Sequence, residues 1–257
     1  MRFRTLFVSV LTGATLLAQP TTSSFAPGAT TNNTAPPTPK PELSPEMRGD
    51  IFMARKMYRE AVEMYQNMPA DSPITWNKVG IAYHQMGQLG LARKSYERSV
   101  KLNPKYAEAI NNLGTVAYAQ KNYRRAANYY KKALLYTPDS ASIHSNLGTA
   151  HFARKKYEDA MTEYQRAIAL DPNVFEHRGS QGTVLQERSV EERAKFHFHL
   201  AKLYAKSGQP DRALQYLRKA LEEGLKDRDK LASEDAFELL RDNPEFQTLL
   251  KTEFRAI

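Results

Sequence analysis

A repeat of 34 residues runs through the middle of this chain. A fixed period of this size is typical of stacked supersecondary units, each of which needs a neighbour to bury its apolar face. The period therefore predicts a repeat array rather than one globular core. Four residue types keep the interval: Gly80, Gly114 and Gly148; Ala92, Ala126 and Ala160; Tyr96, Tyr130 and Tyr164; Pro104, Pro138 and Pro172.

The spacing within one unit resembles the tetratricopeptide repeat (TPR), a helix-turn-helix unit. The resemblance rests on Trp76, Val79, Gly80, Tyr83, Ala92, Tyr96 and Pro104, several of which recur in three successive units. It implies an all-α fold, in which antiparallel helix pairs stack into a right-handed superhelical solenoid with a C-terminal capping helical segment. The segment after Leu225 also resembles the closing segment of many bacterial members of the family, and with the export signal described below it suggests an exported bacterial type.

Each recurring residue type has a physical role in such a unit. The glycines and alanines lie where two helices touch, because a larger side chain there would wedge the backbones apart. The tyrosines are expected to fill the space between successive helix pairs. The prolines end each unit, since proline lacks the amide hydrogen and disfavours a helical residue before it.

The template predicts a division of the whole chain. We expect a signal peptide over 1–18, a flexible linker rich in Pro, Thr and Ser over 19–42, a TPR array over 43–227 and a helical cap over 228–257. Within the array, units are expected at 43–72, 73–106, 107–140, 141–174 and 194–227, with an insertion over 175–193.

Polar residues predict three helix starts near the end of the chain. Ser189 with Glu192 three residues later has the spacing of a capping box. Ser233 is expected to cap a helix that contains Phe237, and Asn243 with Pro244 is expected to begin the last helix.

The first residues predict export. Arg2 and Arg4 precede an apolar run over 5–17, and Ala18 is a suitable cleavage residue. The run is shorter than the roughly 20 residues that a membrane-spanning helix needs, so we expect no stable membrane span after cleavage. The expected location is the periplasm or the extracellular space, most simply of a bacterium; an organelle transit peptide is the alternative.

Composition limits the chemistry. The chain has no cysteine, which excludes disulfides and thiolate metal sites. The net charge of +9 suits acidic partners, polyanions or anionic membranes, but the basic residues fall among Glu and Asp, as on a solvated outer face. We therefore expect no nucleic-acid partner. No phosphate loop, nucleophile elbow or metal-ligand spacing is present, so no enzyme activity, cofactor or metal is predicted.

The resemblance also implies a partner groove along the first helix of each unit. Its amides could donate to and accept from a peptide backbone, with His84, Tyr118 and Phe152 as flat apolar platforms; alternatively, asparagine is simply the family's usual solvent-facing residue. The groove positions are Asn77, Lys78, Ile81, His84, Asn111, Asn112, Thr115, Tyr118, Ser145, Asn146, Thr149 and Phe152, followed by Lys195, Phe198, His199 and Lys202 in the fifth unit.

One known kind of TPR groove is not expected. Domains that grip acidic chaperone tails use a set of Lys, Asn and Arg side chains, of which only an asparagine, Asn112, is retained here. The predicted function is therefore an exported scaffold or adaptor that binds a protein or an extended peptide in its concave groove. The alternative is a structural component of an envelope assembly, of the secretion or pilus type, that docks through its convex face or the 175–193 insertion.

Overall fold

The computed structural model describes residues 42–176, 189–225 and 228–252, together with Phe254. The predicted signal peptide, the linker up to residue 41 and residues 177–188 of the predicted insertion lie outside the described residues. From Glu42 onward the chain forms one compact unit.

The described chain consists of helices joined by short turns, which confirms the all-α solenoid. Ten helices form five antiparallel pairs: α1 (Pro45–Ala54) with α2 (Tyr58–Gln66), α3 (Pro73–Gln85) with α4 (Leu89–Leu102), α5 (Ala107–Ala119) with α6 (Tyr123–Leu134), α7 (Ala141–Ala153) with α8 (Tyr157–Leu170), and α9 (Val190–Lys206) with α10 (Pro210–Glu222). None of the helices in the described part of the chain is long and apolar enough to cross a membrane.

A tyrosine ring lies against a glycine inside each of the first four pairs. A Cβ atom on Gly114 would come within 2.5 Å of Tyr130 Cε1, and one on Gly80 within 2.5 Å of Tyr96 Cε1. The same relation holds for Gly49 with Tyr65 and for Gly148 with Tyr164. Packing therefore requires glycine at this position of each of these four units. This requirement outweighs the roughly 1 kcal/mol of helix stability that glycine costs relative to alanine.

Consecutive pairs are joined by a shared apolar core. Ala92 and Tyr96 of the second pair pack with Leu113 and Val116 of α5. First helices also contact one another, α3 with α5 and α5 with α7. We call the exposed surface formed by α3, α5 and α7 the inner wall.

The turn inside each pair has one residue in the left-handed backbone region. Glycine occupies it in two pairs, at Gly87 (φ 72°) and Gly208 (φ 70°). Lysine occupies the equivalent position in the other three, at Lys56, Lys121 and Lys155, each with φ 60°. A left-handed residue just after a helix lets the chain reverse direction, and it favours glycine.

The fifth pair and the end of the chain close the array. As predicted, Ser189 caps α9, and its Oγ accepts a hydrogen bond of 3.2 Å from the Glu192 amide. Two 3₁₀ helices follow, Arg228–Ser233 and Asp235–Leu240, and then α11 (Pro244–Lys251). Phe237, Phe246 and Leu249 pack into the core of the fifth pair.

Of the other two predicted helix starts, the one at Ser233 is wrong and the one at Asn243 is confirmed. Ser233 ends the first 3₁₀ helix, where its hydroxyl donates to the Lys230 carbonyl, so it caps nothing. Asn243 caps α11, with Oδ1 accepting from the Glu245 and Phe246 amides at 2.8 and 3.2 Å. A serine hydroxyl can bond backward within its own turn as readily as forward.

Candidate functional site

Four asparagines on the inner wall form a chain of hydrogen bonds across three units. Asn146 Nδ2 donates to Asn111 Oδ1 at 3.1 Å, Asn111 Nδ2 donates to Asn112 Oδ1 at 3.5 Å, and Asn112 Nδ2 donates to Asn77 Oδ1 at 2.9 Å. The cross-unit bonds join residues 35 positions apart, one more than the repeat. Two adjacent positions of a first helix therefore face opposite neighbours.

The amides are consequently linked to one another. The sequence interpretation considers each amide by itself, as a separate donor and acceptor for a peptide. Asn77 is only 3% exposed, and its Nδ2 also lies 3.4 Å from both Tyr106 Oη and Glu108 Oε2. A side-chain amide offers two donor hydrogens and two acceptor lone pairs. The half-buried Asn111 and Asn112 therefore keep capacity for a further partner.

A cavity of about 400 Å³ opens beside this chain of amides. Four of the predicted groove residues line it: Asn77, Ile81, Asn111 and Asn112. Glu108 and Ser142 lie at its exposed rim, and Ile143 contributes a further apolar side chain. The structure thus brings the second and third units of the predicted groove together around one concave site.

The prediction of aromatic platforms is wrong for two of its three residues. Tyr118 is 7% exposed, with its ring centroid 4.9 Å from that of Tyr123. Phe152 is 4% exposed and packs against Tyr157 at 5.1 Å. Each ring lies in the last turn of a first helix and meets the aromatic residue that begins the second. His84 is half-buried, and burial lowers its pKa.

Other predicted groove residues are engaged within the fold. Lys78 pairs with Asp50 at 2.6 Å and Glu46 at 3.2 Å; burial alone would lower its pKa, but these two carboxylates raise it overall. Thr115 and Thr149 accept hydrogen bonds from the buried tyrosine hydroxyls of their own units, and Ser145 is buried. The polar groups of these side chains are therefore used within the fold, where they hold the helices of the inner wall in place, and are not offered to a partner.

Sequence reasoning missed two acidic residues that contact predicted groove positions, Asp50 on α1 and Glu108 on α5. Asp50 accepts a 2.6 Å hydrogen bond from Tyr65 as well as binding Lys78, and together these contacts lower its pKa although burial opposes them. Glu108 accepts from Tyr106 at 2.8 Å. The repeat could have revealed Asp50, because it follows Gly49 as Thr115 follows Gly114.

The fifth unit does not continue the amide chain. Its predicted groove residues contact the end of the chain or α8 instead: Lys202 pairs with Glu234 at 2.7 Å, Phe198 lies near Phe237, and the His199 ring stacks on Tyr157 with centroids 5.8 Å apart. Lys195 pairs with Glu191 on its own helix at 3.0 Å.

A second cavity, of about 630 Å³, lies between α8 and α9. Met161, Ile168 and Leu203 form its apolar lining. The sequence gives one signal for it, since the positions equivalent to Met161 and Ile168 in the preceding unit, Ala127 and Leu134, belong to an apolar cluster. Most of the predicted insertion lies outside the described residues; its first residue, Phe175, packs edge-on against Tyr164.

No metal site is found within residues 42–176, 189–225 and 228–252, where no three His, Asp or Glu side chains are grouped to hold an ion. His144 and Glu163 form a pair at 2.7 Å, as do His197 and Glu223 at 2.6 Å. Each pair joins helices within one unit. These histidines therefore act in the packing of their units.

The chain shows low sequence identity to individual known proteins. "Uncharacterized protein ycf37" of Pyropia yezoensis is 30% identical over 78 residues, and the match covers 30% of this chain and 43% of that protein. The chain thus matches less than half the length of this curated relative. A crystal structure of MamA superposes with a TM-score of 0.48 at 20% identity, covering 68% of this chain and 93% of that one. MamA from Desulfovibrio magneticus RS-1 gives 0.47 at 20% identity, with 68% and 90% covered.

The repeats themselves match known families. Three families described as tetratricopeptide repeat match residues 71–134, 111–174 and 194–224. Together these ranges cover more than half of the 257 residues; they contain three of the five helix pairs completely and most of the fifth pair. The helix pairs, the glycine–tyrosine packing and these matches agree: the chain belongs to the tetratricopeptide repeat proteins.

Proposed function

We propose that this protein is an exported scaffold or adaptor whose inner wall binds an extended segment of a protein partner. TPR domains bind proteins or peptides in general. The observation that carries the proposal is the 400 Å³ cavity, where linked amides and apolar side chains from adjacent units converge. No catalytic residue is part of it.

The chemistry of the cavity suits an extended chain. Such a chain exposes its backbone donors and acceptors along its length, at about 3.3 Å per residue. The free capacity of Asn111 and Asn112 can satisfy these groups, while Ile81 and Ile143 can receive an apolar side chain of the partner. Because the amides are already held in place by each other, little side-chain entropy is lost on binding.

The charge of the site favours one class of segment. Glu108 is exposed at the rim, and none of the described residues that line the cavity is Lys or Arg. A carboxylate without cationic neighbours repels acidic tails and attracts lysine, arginine or a free amino group. We therefore propose a neutral or basic segment as the ligand, in agreement with the absence of the acidic-tail motif from the sequence.

Site-specific photo-crosslinking in the native host tests the groove. A photoreactive residue replaces Ser142, at the rim of the cavity, or Lys94, on a second helix, and crosslinked peptides are identified by mass spectrometry. We expect a defined partner from position 142, lost on Asn112→Ala and retained on Asn128→Ala, a matched change of an exposed asparagine on α6. Crosslinks from position 94 alone would instead favour the envelope-assembly alternative.

Export is a separate part of the proposal. Its support is the sequence pattern of Arg2 and Arg4 before the apolar run over 5–17. Fractionation of the native host with sequencing of the mature N-terminus tests it. We expect cleavage near Ala18 and recovery from the periplasm or the medium; recovery from an organelle would support the transit-peptide alternative.

A further inference from the structure

Two neighbouring second helices carry an exposed basic surface. Val100 of α4 and Tyr129 of α6 are partly buried against the same two apolar clusters, so both helices border one shared core. Successive helix residues are turned by about 100°, so the exposed bases of each helix share its outer side. We call this surface the basic face: Lys94, Arg98 and Lys101 of α4, with Arg124, Lys131 and Lys132 of α6.

The bases of this face have few acidic partners. Within the described part of the chain, none of the six forms an ion pair; the hydrogen bond from Lys156 lowers the pKa of Asp159, and Lys131 adds only a small effect. α6 has no acidic residue, and the single acidic residue of α4, Glu97, pairs with Arg93 at 3.6 Å. By contrast, Arg166, which occupies on α8 the position of Lys132, pairs with Asp139 at 2.8 Å. The expectation that these bases are mixed with Glu and Asp, as on a solvated face, therefore holds for Glu97 on α4 but not for α6.

Large apolar side chains are exposed beside these bases. Leu135, one turn after Lys131 and Lys132, is 76% exposed. Tyr136 and Leu102 are also exposed, and they occupy equivalent positions of successive units. These three apolar side chains lie at or just after the carboxyl-terminal ends of α4 and α6, which also carry the basic face.

We propose that the basic face binds an anionic lipid surface. Lysine and arginine near a membrane are attracted to anionic headgroups, and their aliphatic stems tolerate the interface. Leucine and tyrosine beside them enter the boundary between headgroups and acyl chains. A soluble polyanion would satisfy the charges but offers no apolar phase for Leu135, so lipid fits both features. This surface belongs to the second helices and is independent of the inner wall.

Vesicle binding by the full-length chain tests the proposal. Vesicles of phosphatidylcholine are compared with vesicles that also contain phosphatidylglycerol, and the increase in binding is measured by co-sedimentation. The triple variant R124Q/K131Q/K132Q is compared with R55Q/K56Q/K206Q, which removes three exposed bases from the turn after α1 and the end of α9. All variants share the N-terminal apolar run, so its contribution is common to them.

We expect the α6 triple variant to lose about tenfold or more of its affinity for the anionic vesicles, and the control variant to bind as the unchanged chain does. Leu135→Ser should weaken vesicle binding without changing the melting temperature. Equal losses in both triple variants, or no dependence on phosphatidylglycerol, would overturn the proposal. So would tight binding to heparin or polyglutamate combined with vesicle binding that Leu135→Ser leaves intact, because the ligand would then be a polyanion or an acidic protein.

Discussion

The packing of Tyr130 over Gly114 makes a quantitative prediction about stability. In Gly114→Ala the new Cβ would lie 2.5 Å from Tyr130 Cε1 and 2.7 Å from Cδ1, whereas ordinary contact begins at 3.4 Å. The buried ring must therefore move by about 1 Å, and overpacking of this kind costs about 1–3 kcal/mol. Alanine recovers roughly 1 kcal/mol through its higher helix propensity. We expect a net loss of about 1 kcal/mol.

The fifth unit shows how the clash can be relieved. There Ala201 and Leu217 replace the glycine and the tyrosine, and both are fully buried. Tyr130→Leu alone should cost about 1–3 kcal/mol, because it leaves unfilled space in the core. In Gly114→Ala/Tyr130→Leu the two changes compensate. The double variant should therefore be more stable than the sum of the single losses predicts, by about 0.5–3 kcal/mol.

Thermal and urea unfolding followed by circular dichroism measure these differences. For a chain of this size, 1 kcal/mol shifts the melting temperature by roughly 2–4 °C. Gly90→Ala is the matched control, since a Cβ on Gly90 would meet nothing within 4 Å; it should leave stability unchanged or raise it. Strictly additive losses in the double variant, or a stable Gly114→Ala, would refute the packing argument.

Two further predictions concern stability. Burial lowers the pKa of His84, His197 and His199, so the unfolded chain binds more protons, and the urea midpoint should fall as the pH falls below about 6.5; His199→Gln should flatten this dependence, and a midpoint that rises on acidification would contradict it. Asn243→Ala removes the cap of α11 and should cost about 1 kcal/mol in urea unfolding, whereas Asn128→Ala should cost little; equal effects would mean that the cap contributes nothing.

The repeat period makes much of the fold predictable. Recurring positions such as those of Gly114 and Tyr130 mark a contact between two helices. The contact recurs in successive units because the geometry of the helix pair is repeated. The end of the array is harder to predict. Leu239, for example, lies in a 3₁₀ helix and is exposed, although its apolar neighbours suggested an ordinary capped helix. Without a repeat to compare, short polar signals such as Ser233 are ambiguous.

The candidate site was only partly predictable. Asn111 and Asn112 were correctly placed on a first helix, but their bonds to neighbouring units depend on how far adjacent helices are shifted, and a column pattern does not reveal that shift. The burial of Tyr118 and Phe152 depends on the aromatic residue that begins the second helix. That signal was present in Tyr123 and Tyr157, because an aromatic ring at each end of a tight turn favours contact between the two.

The left-handed lysines have a consequence for how this array can evolve. A non-glycine residue in that backbone region costs roughly 1–2 kcal/mol, and Lys56, Lys121 and Lys155 each carry this strain where Gly87 and Gly208 do not. Replacing any of the three lysines by glycine would relieve this strain, and none of the three lines the 400 Å³ cavity or belongs to the six bases of the basic face. The protein therefore holds a reserve of stability that could offset destabilising changes acquired while its binding surfaces diversify.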